Sequence, residues 1–129
     1  SEAMTVFAEY ARVTPPSFQL IVGSAVTFYV GLCLGAKAGI LALANVAPQE
    51  CVQIHRLFID GKHEEAKECQ LQLLSMAHAV GPRFGIAGVK VAMDLRGYYG
   101  GPRRRPLLPL KAEDVEALRD ELVAANMIS

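Results

Sequence analysis

The chain has 129 residues, 52% of them hydrophobic, with 13 basic and 13 acidic side chains, a length that suits one domain with a sizeable core. Zero formal net charge and a pI near 6.8 speak against nucleic acid as a partner, because phosphate neutralisation needs a basic face. Three cysteines, none paired at C-x-x-C spacing, form neither a disulfide framework nor a zinc-ribbon pattern and fit a reducing compartment, the cytoplasm or the mitochondrial matrix.

Charge is unevenly spread: residues 1–48 hold only Glu2, Glu9, Arg12 and Lys37. The uncharged run from Val13 to Ala36 is long enough to span a bilayer, but Pro15-Pro16, Gly23-Ser24 and Lys37 break it into short pieces, so a membrane helix is not expected. The start lacks a basic region followed by an apolar one, so no signal peptide is expected. Residues 3–13 predict a helix with Val6, Tyr10 and Val13 on one side, stopped by Thr14-Pro15-Pro16. Ser1 to Met4 fit either a vector-derived scar or the beginning of that helix. The apolar run 18–22 predicts a buried strand. Ser24 is a candidate N-cap for a helix over 25–35, in which Gly31 and Gly35 allow close approach of a neighbour. A second apolar strand is expected at 38–43.

Pro48 then opens a helix with Cys51, Ile54 and Phe58 on one face, stopped at Asp60-Gly61. A long helix over 63–80, with Cys69, Leu73, Met76 and Val80 on its stripe, is expected to end at Gly81-Pro82. Ile86, Val89 and Met93 mark another helix, closed by Gly97. Residues 97–102 are turn material, and Arg103 to Pro109 is an irregular connector. A last helix near 111–125 buries Val115, Leu118, Leu122 and Ala125, with Glu113 and Asp114 suiting its N-terminal dipole.

Two apolar strands joined by a helix read as a βαβ unit, but two strands buried on both faces leave two open edges and cannot stand alone. The span therefore reads as the end of a larger parallel α/β fold, or as a piece that completes its sheet with another chain. Strand, helix, strand and helix followed by three more helices match the last units of a (β/α)8 TIM barrel with a C-terminal helical extension.

The segments FQLIVGSAVTFYVGLCLGAKAGILALANVAP and RFGIAGVKVAMDLRGYYGGPRRRPL resemble the C-terminal half of the dihydrodipicolinate synthase / N-acetylneuraminate lyase family of Schiff-base class I aldolases. Gly23-Ser24-Ala25, Ala42-Leu43-Ala44-Asn45-Val46 and Gly97-Tyr98-Tyr99-Gly100-Gly101-Pro102 look closest to its 4-hydroxy-2-oxoglutarate aldolase-like branch. The resemblance implies a (β/α)8 barrel with three C-terminal helices, usually a homotetramer, in which a lysine near the end of the sixth strand forms an imine with pyruvate or another 2-oxo acid, with no cofactor. It makes 18–22 the seventh strand and 38–43 the eighth. Residues 1–61 then hold the last barrel units and 62–129 the helical extension. The imine lysine and its catalytic partners lie on earlier strands, so the span is expected to carry no catalytic residue and to be inactive by itself, whether as a fragment, a trimmed chain or a free-standing half barrel. The expected partners are a small 2-oxo acid and either further copies of the chain or the missing N-terminal part of the barrel. The rival function is a non-catalytic half-barrel or assembly module.

Active sites of such barrels sit at the C-terminal ends of the strands. Gly23 lets the backbone approach a ligand, and the amides starting the next helix could hold a carboxylate; the plainer reading is a strand-to-helix turn capped by Ser24. The resemblance favours substrate, with Gly23, Ser24 and Ile40 as binding positions, Ile40 mainly through its backbone. Lys37 falls at the opposite face, and Lys90 reads as an inter-helix charge. Cys51 and His55 are one turn apart but lack further metal ligands, as do His63 and His78, so no metal is expected. Arg103-Arg104-Arg105 reads as a solvated connector, and Tyr98 and Tyr99 as aromatics packed onto the core.

Overall fold

The computed structural model describes residues 2–129, with side chains from Met4 onward; Ser1 lies outside the described residues. The chain runs through α1 (Glu2–Val13), β1 (Ile21–Val22), a 3-10 turn (Ala25–Thr27), α2 (Phe28–Cys33), β2 (Ala38–Gly39) and a second 3-10 turn (Ala42–Asn45). It continues through α3 (Pro48–Ile59), α4 (His63–Gln72), α5 (Leu74–His78), a π turn (Ala79–Arg83), α6 (Gly85–Leu95) and α7 (Ala112–Ala124).

The two strands pair in parallel, Ile21 opposite Ala38 and Val22 opposite Gly39. Lys37 N–H to Leu20 O at 2.9 Å and Ile40 N–H to Val22 O at 2.8 Å extend the pairing at each end. Both strands are shorter than the apolar runs 18–22 and 38–43, and the register gives the reason. Residues 18 and 19 would face 35 and 36, which lie in the turn closing α2, while 41–43 would face 24–26, which coil into the 3-10 turn. Gly31 lets α2 lie against the strand: a Cβ there would come within 2.3 Å of a Val22 methyl.

The helices end largely where glycine punctuates them. Gly61 takes φ +75° after α3, and the amides of Gly61 and Lys62 bond Phe58 O and Leu57 O, which satisfies carbonyls the helix leaves open. The expected helix 63–80 instead breaks at Leu73 and runs on through Gly81-Pro82 as a π turn. Pro82 has no N–H to bond the preceding turn, and the backbone widens until Phe84 N–H reaches Ala79 O at 2.9 Å.

One core joins the strand unit to the later helices. It includes Val22, Phe28, Leu43, Val46, Ile54, Met76, Val80, Ala92, Leu118 and Leu122. Two expected apolar faces are buried only in part or not at all. On α1, Phe7 turns inward with Ala8 and Ala11 half-buried, whereas Val6, Tyr10 and Val13 are each more than half exposed. On α6, Gly88, Val89 and Ala92 are buried and Met93 packs against the core, while Ile86 is exposed. No described helix is long and apolar enough to cross a membrane.

Candidate functional site

The register sends both strands out on one edge, so Gly23-Ser24 and Ile40-Leu41 leave the sheet side by side. Beyond that edge, Gly23, Ser24, Ala42 and Leu43 meet Ala77 and Val80 around a small cavity of about 80 Å³. Ligand pockets commonly span about 300–1,000 Å³, so this cavity is too small to be a full ligand pocket. None of the residues lining this cavity is ionisable. It can offer backbone groups and one hydroxyl, but no amine and no proton carrier. The larger clefts lie elsewhere, one of about 440 Å³ beside Glu50, Gln72 and Asn126 and one of about 590 Å³ along Pro48, Val52 and Arg56.

Ser24 sits at the N-cap position with extended backbone but makes no side-chain cap bond. The expected carboxylate-holding amides are engaged in part by the chain itself. Thr27, Phe28 and Tyr29 N–H groups are already bonded, to Ser24 O, Ala25 O and Gln70 Oε1, and α2 has only 6 residues with which to build a dipole. Ile40 lies on the same edge as Gly23 but outside the cavity lining, with its amide paired to Val22 O and 75% of the residue exposed.

None of the other candidates lines that cavity. Lys37 is exposed before β2, at the end remote from Gly23, and its carbonyl bonds His55 Nε2 at 2.9 Å. The His55 ring also stacks on Phe28, 6.4 Å between centroids. Lys90 Nζ donates to Gly100 O at 2.7 Å. Tyr98 is partly exposed under the Arg96 guanidinium, and Tyr99 stands out in solvent, so neither tyrosine covers the core. Arg103, Arg104 and Arg105 are exposed. His63 lies edge-on to Phe58 and His78 is exposed. Among the described residues no group of three His, Cys, Asp or Glu side chains converges as a metal site.

Burial, with the Glu50 carboxylate beside it, pushes the Cys51 thiol from 9.0 up to about 11. At pH 8 about one Cys51 in a thousand is then thiolate, so in the folded protein it should alkylate far more slowly than exposed Cys33, read by peptide mass after iodoacetamide. The folded thiol holds its proton more tightly than the unfolded one, so this contribution is complete below pH 9 and is lost as pH rises through about 11.

Two residues that periodicity did not single out hold the site region together. Gln70, 6% exposed, bonds Tyr29 N–H and Ala25 O. Arg96 Nη1 donates to Val46 O at 2.6 Å and lies 3.7 Å from Glu50, tying the end of α6 to the start of α3. The available signal for Gln70 is its place on the stripe Ala66, Gln70, Leu73 and Ala77, where a polar residue falls in an otherwise buried row.

Residues 1–125 match the family model described as the dihydrodipicolinate synthetase family. The chain belongs to that family. It is 32% identical to 4-hydroxy-tetrahydrodipicolinate synthase of Archaeoglobus fulgidus over 95% of this chain and 42% of the relative. It is 42% identical to L-threo-3-deoxy-hexylosonate aldolase of Aspergillus niger over 70% of this chain and 27% of that one. Dihydrodipicolinate synthase from Thermotoga maritima superposes with a TM-score of 0.88 at 25% identity, over 95% of this chain and 42% of that structure. The chain thus spans about two fifths of the family's full length, and its fold is part of a (β/α)8 barrel, the two parallel strands with their helices, continued by further helices.

Proposed function

We propose that these residues form the C-terminal portion of a pyruvate-dependent class I aldolase or lyase, whose complete chain cleaves or condenses 2-oxo acids through a lysine imine, the lysine lying upstream of this span. Residues 1–61 are the last barrel units and 62–129 the C-terminal helical extension. The observation that supports this most is the pairing of a family match over nearly the whole chain with a strand-end wall that holds no ionisable group. Gly23 and Ser24 bind the substrate at that wall, and Ile40 contributes its backbone at the adjoining strand end. Nothing at the wall performs proton transfer or nucleophilic attack, so the reaction needs residues from the rest of the barrel. No cofactor enters, because imine formation is itself the electron sink.

Imine formation joins the lysine amine to the keto carbon with loss of water, and borohydride adds hydride to that carbon, leaving a stable secondary amine. Incubating the 129-residue chain with pyruvate and borohydride should leave its mass unchanged, while the complete chain should gain one reduced pyruvyl group. An adduct on the short chain would contradict an upstream lysine; failure of the complete chain to form one would remove the imine mechanism.

A second reading, a non-catalytic half-barrel or assembly module, draws on the exposed apolar side chains of Phe18, Ile21 and Ile40 around the strand pair and of Val6, Tyr10 and Val13 on α1. Such surface calls for cover by another chain. A well-folded monomer at micromolar concentration in sedimentation would count against this reading.

A further inference from the structure

The turn that carries Ser24 into α2 is capped from outside. Thr27 N–H reaches Ser24 O at 3.3 Å and Phe28 N–H bonds Ala25 O. Tyr29 would ordinarily bond the same Ala25 carbonyl, one helical turn back, but that oxygen is engaged in the tighter 3-10 turn. A side-chain oxygen at the cap position normally accepts such an amide. Neither Ser24 nor Thr27 does so. Instead Tyr29 N–H donates to Gln70 Oε1 at 2.9 Å, and Gln70 Nε2 donates to Ala25 O at 2.9 Å. Gln70 belongs to α4, more than 40 positions along the chain. The backbone amide can only donate and the carbonyl can only accept, so the partners settle which way the side-chain amide points.

We propose that Gln70 is a positioning residue for the substrate-binding turn: by capping α2 from the C-terminal helices, it holds Gly23 to Ala25 in place and leaves the Ser24 hydroxyl uncommitted. The ligand side of this inference rests on the aldolase reading above. The physical case is that of replacement. Leucine at 70 would fill the same space yet leave the part-buried Tyr29 N–H without its acceptor. The turn could then recover a cap only by recruiting a nearby hydroxyl, that of Thr27 at the cap of α2 or that of Ser24 at the cap of the 3-10 turn before it. Glutamate at 70 would keep the acceptor for Tyr29 while setting a carboxylate oxygen against the Ala25 carbonyl.

The test is made on the complete enzyme with pyruvate as the varied substrate and an aldehyde acceptor in fixed excess. Gln70→Leu is expected to raise KM about tenfold with kcat changed less than about threefold, the pattern of lost binding and not of lost chemistry. Gln70→Glu, which serves should the leucine variant fail to fold, is expected to raise KM about threefold. Ala66→Gly, on the same buried stripe of α4 but away from the turn, weakens the helix and should leave KM as in the native enzyme. A native KM in both Gln70 variants, or an equal rise in Ala66→Gly, overturns the proposal. Should the native enzyme turn over no 2-oxo acid, the aldolase reading falls alone, and the brace is judged by amide exchange: Tyr29 exchanging at least about tenfold faster in Gln70→Leu than in the native protein supports it, and equal rates overturn it.

Discussion

Replacing Gly100 by alanine is expected to destabilise the protein by about 3 kcal/mol, through overpacking against backbone. A Cβ at this buried position would stand 2.1 Å from the Lys90 carbonyl oxygen and 2.7 Å from its carbon. Those atoms sit inside α6 and cannot turn aside as a side chain could. Two hydrogen bonds make the same place tight, Gly100 N–H to Asp94 Oδ1 at 2.8 Å and Lys90 Nζ to Gly100 O at 2.7 Å. Moving the turn away from α6 to relieve the clash would stretch both. The same turn begins the connector to α7, so its displacement would loosen the docking of the last helix. Gly23→Ala is the natural comparison, since no atom lies within 4 Å of a Cβ built there, and its midpoint should stay near the native one. A drop of roughly 10 °C in the melting midpoint of Gly100→Ala is the expected reading. A midpoint within two or so degrees of native would show that the turn relaxes freely.

Leu118→Ala should lower stability by about 2–5 kcal/mol, the range for deleting a fully buried leucine. Leu118 is 0% exposed and faces the core from α7 beside Leu122. The loss depends on whether the surroundings can close over the hole. Here α7 is held in place by its own end and by its flank. Asn126, at φ +54°, reverses the chain so that Met127 N–H returns to Leu122 O at 2.9 Å. Ser75 on α5 bonds Glu121, and Arg83 lies 3.7 Å from the same carboxylate. A helix pinned at both places collapses poorly, which puts the expectation in the upper half of the range. Val123→Ala, on the half-exposed side of the same helix, should change stability by less than about 1 kcal/mol. Urea unfolding at unchanged slope measures both; equal midpoints for the two variants would contradict the assignment of Leu118 to the core.

Where apolar spacing is regular and its stop is chemically marked, sequence and structure agree closely. In α3, Pro48 sits at the first position, Cys51 and Ile54 are buried and Gly61 ends the helix. In α7, Leu118 and Leu122 are buried as the four-residue spacing requires. The stripe Leu73, Met76 and Val80 is buried too, although the helix expected to carry it is divided. A missing proline N–H can be met either by stopping a helix or by widening its turn, and composition alone does not choose between them.

The candidate site was legible in part. Gly23 and Ser24 do lie at a strand end, beside the other strand's continuation, because a parallel pair sends both C-terminal ends the same way. The serine cap was not what the turn uses, since a 3-10 start redirects the Ala25 carbonyl and a distant glutamine takes over the cap. No local pattern announces a bond across more than 40 residues.

By itself the sequence determined the order of helices and strands, the family, and the absence of an amine at the two strand ends, since these follow from local periodicity, turn chemistry and residue identity. Only the tertiary structure decided how little of each apolar run pairs, which side of α1 turns inward, and that Gln70 caps the turn after β1. Those outcomes depend on register and on what each backbone group finds within hydrogen-bonding reach, quantities that exist only once distant segments are packed together.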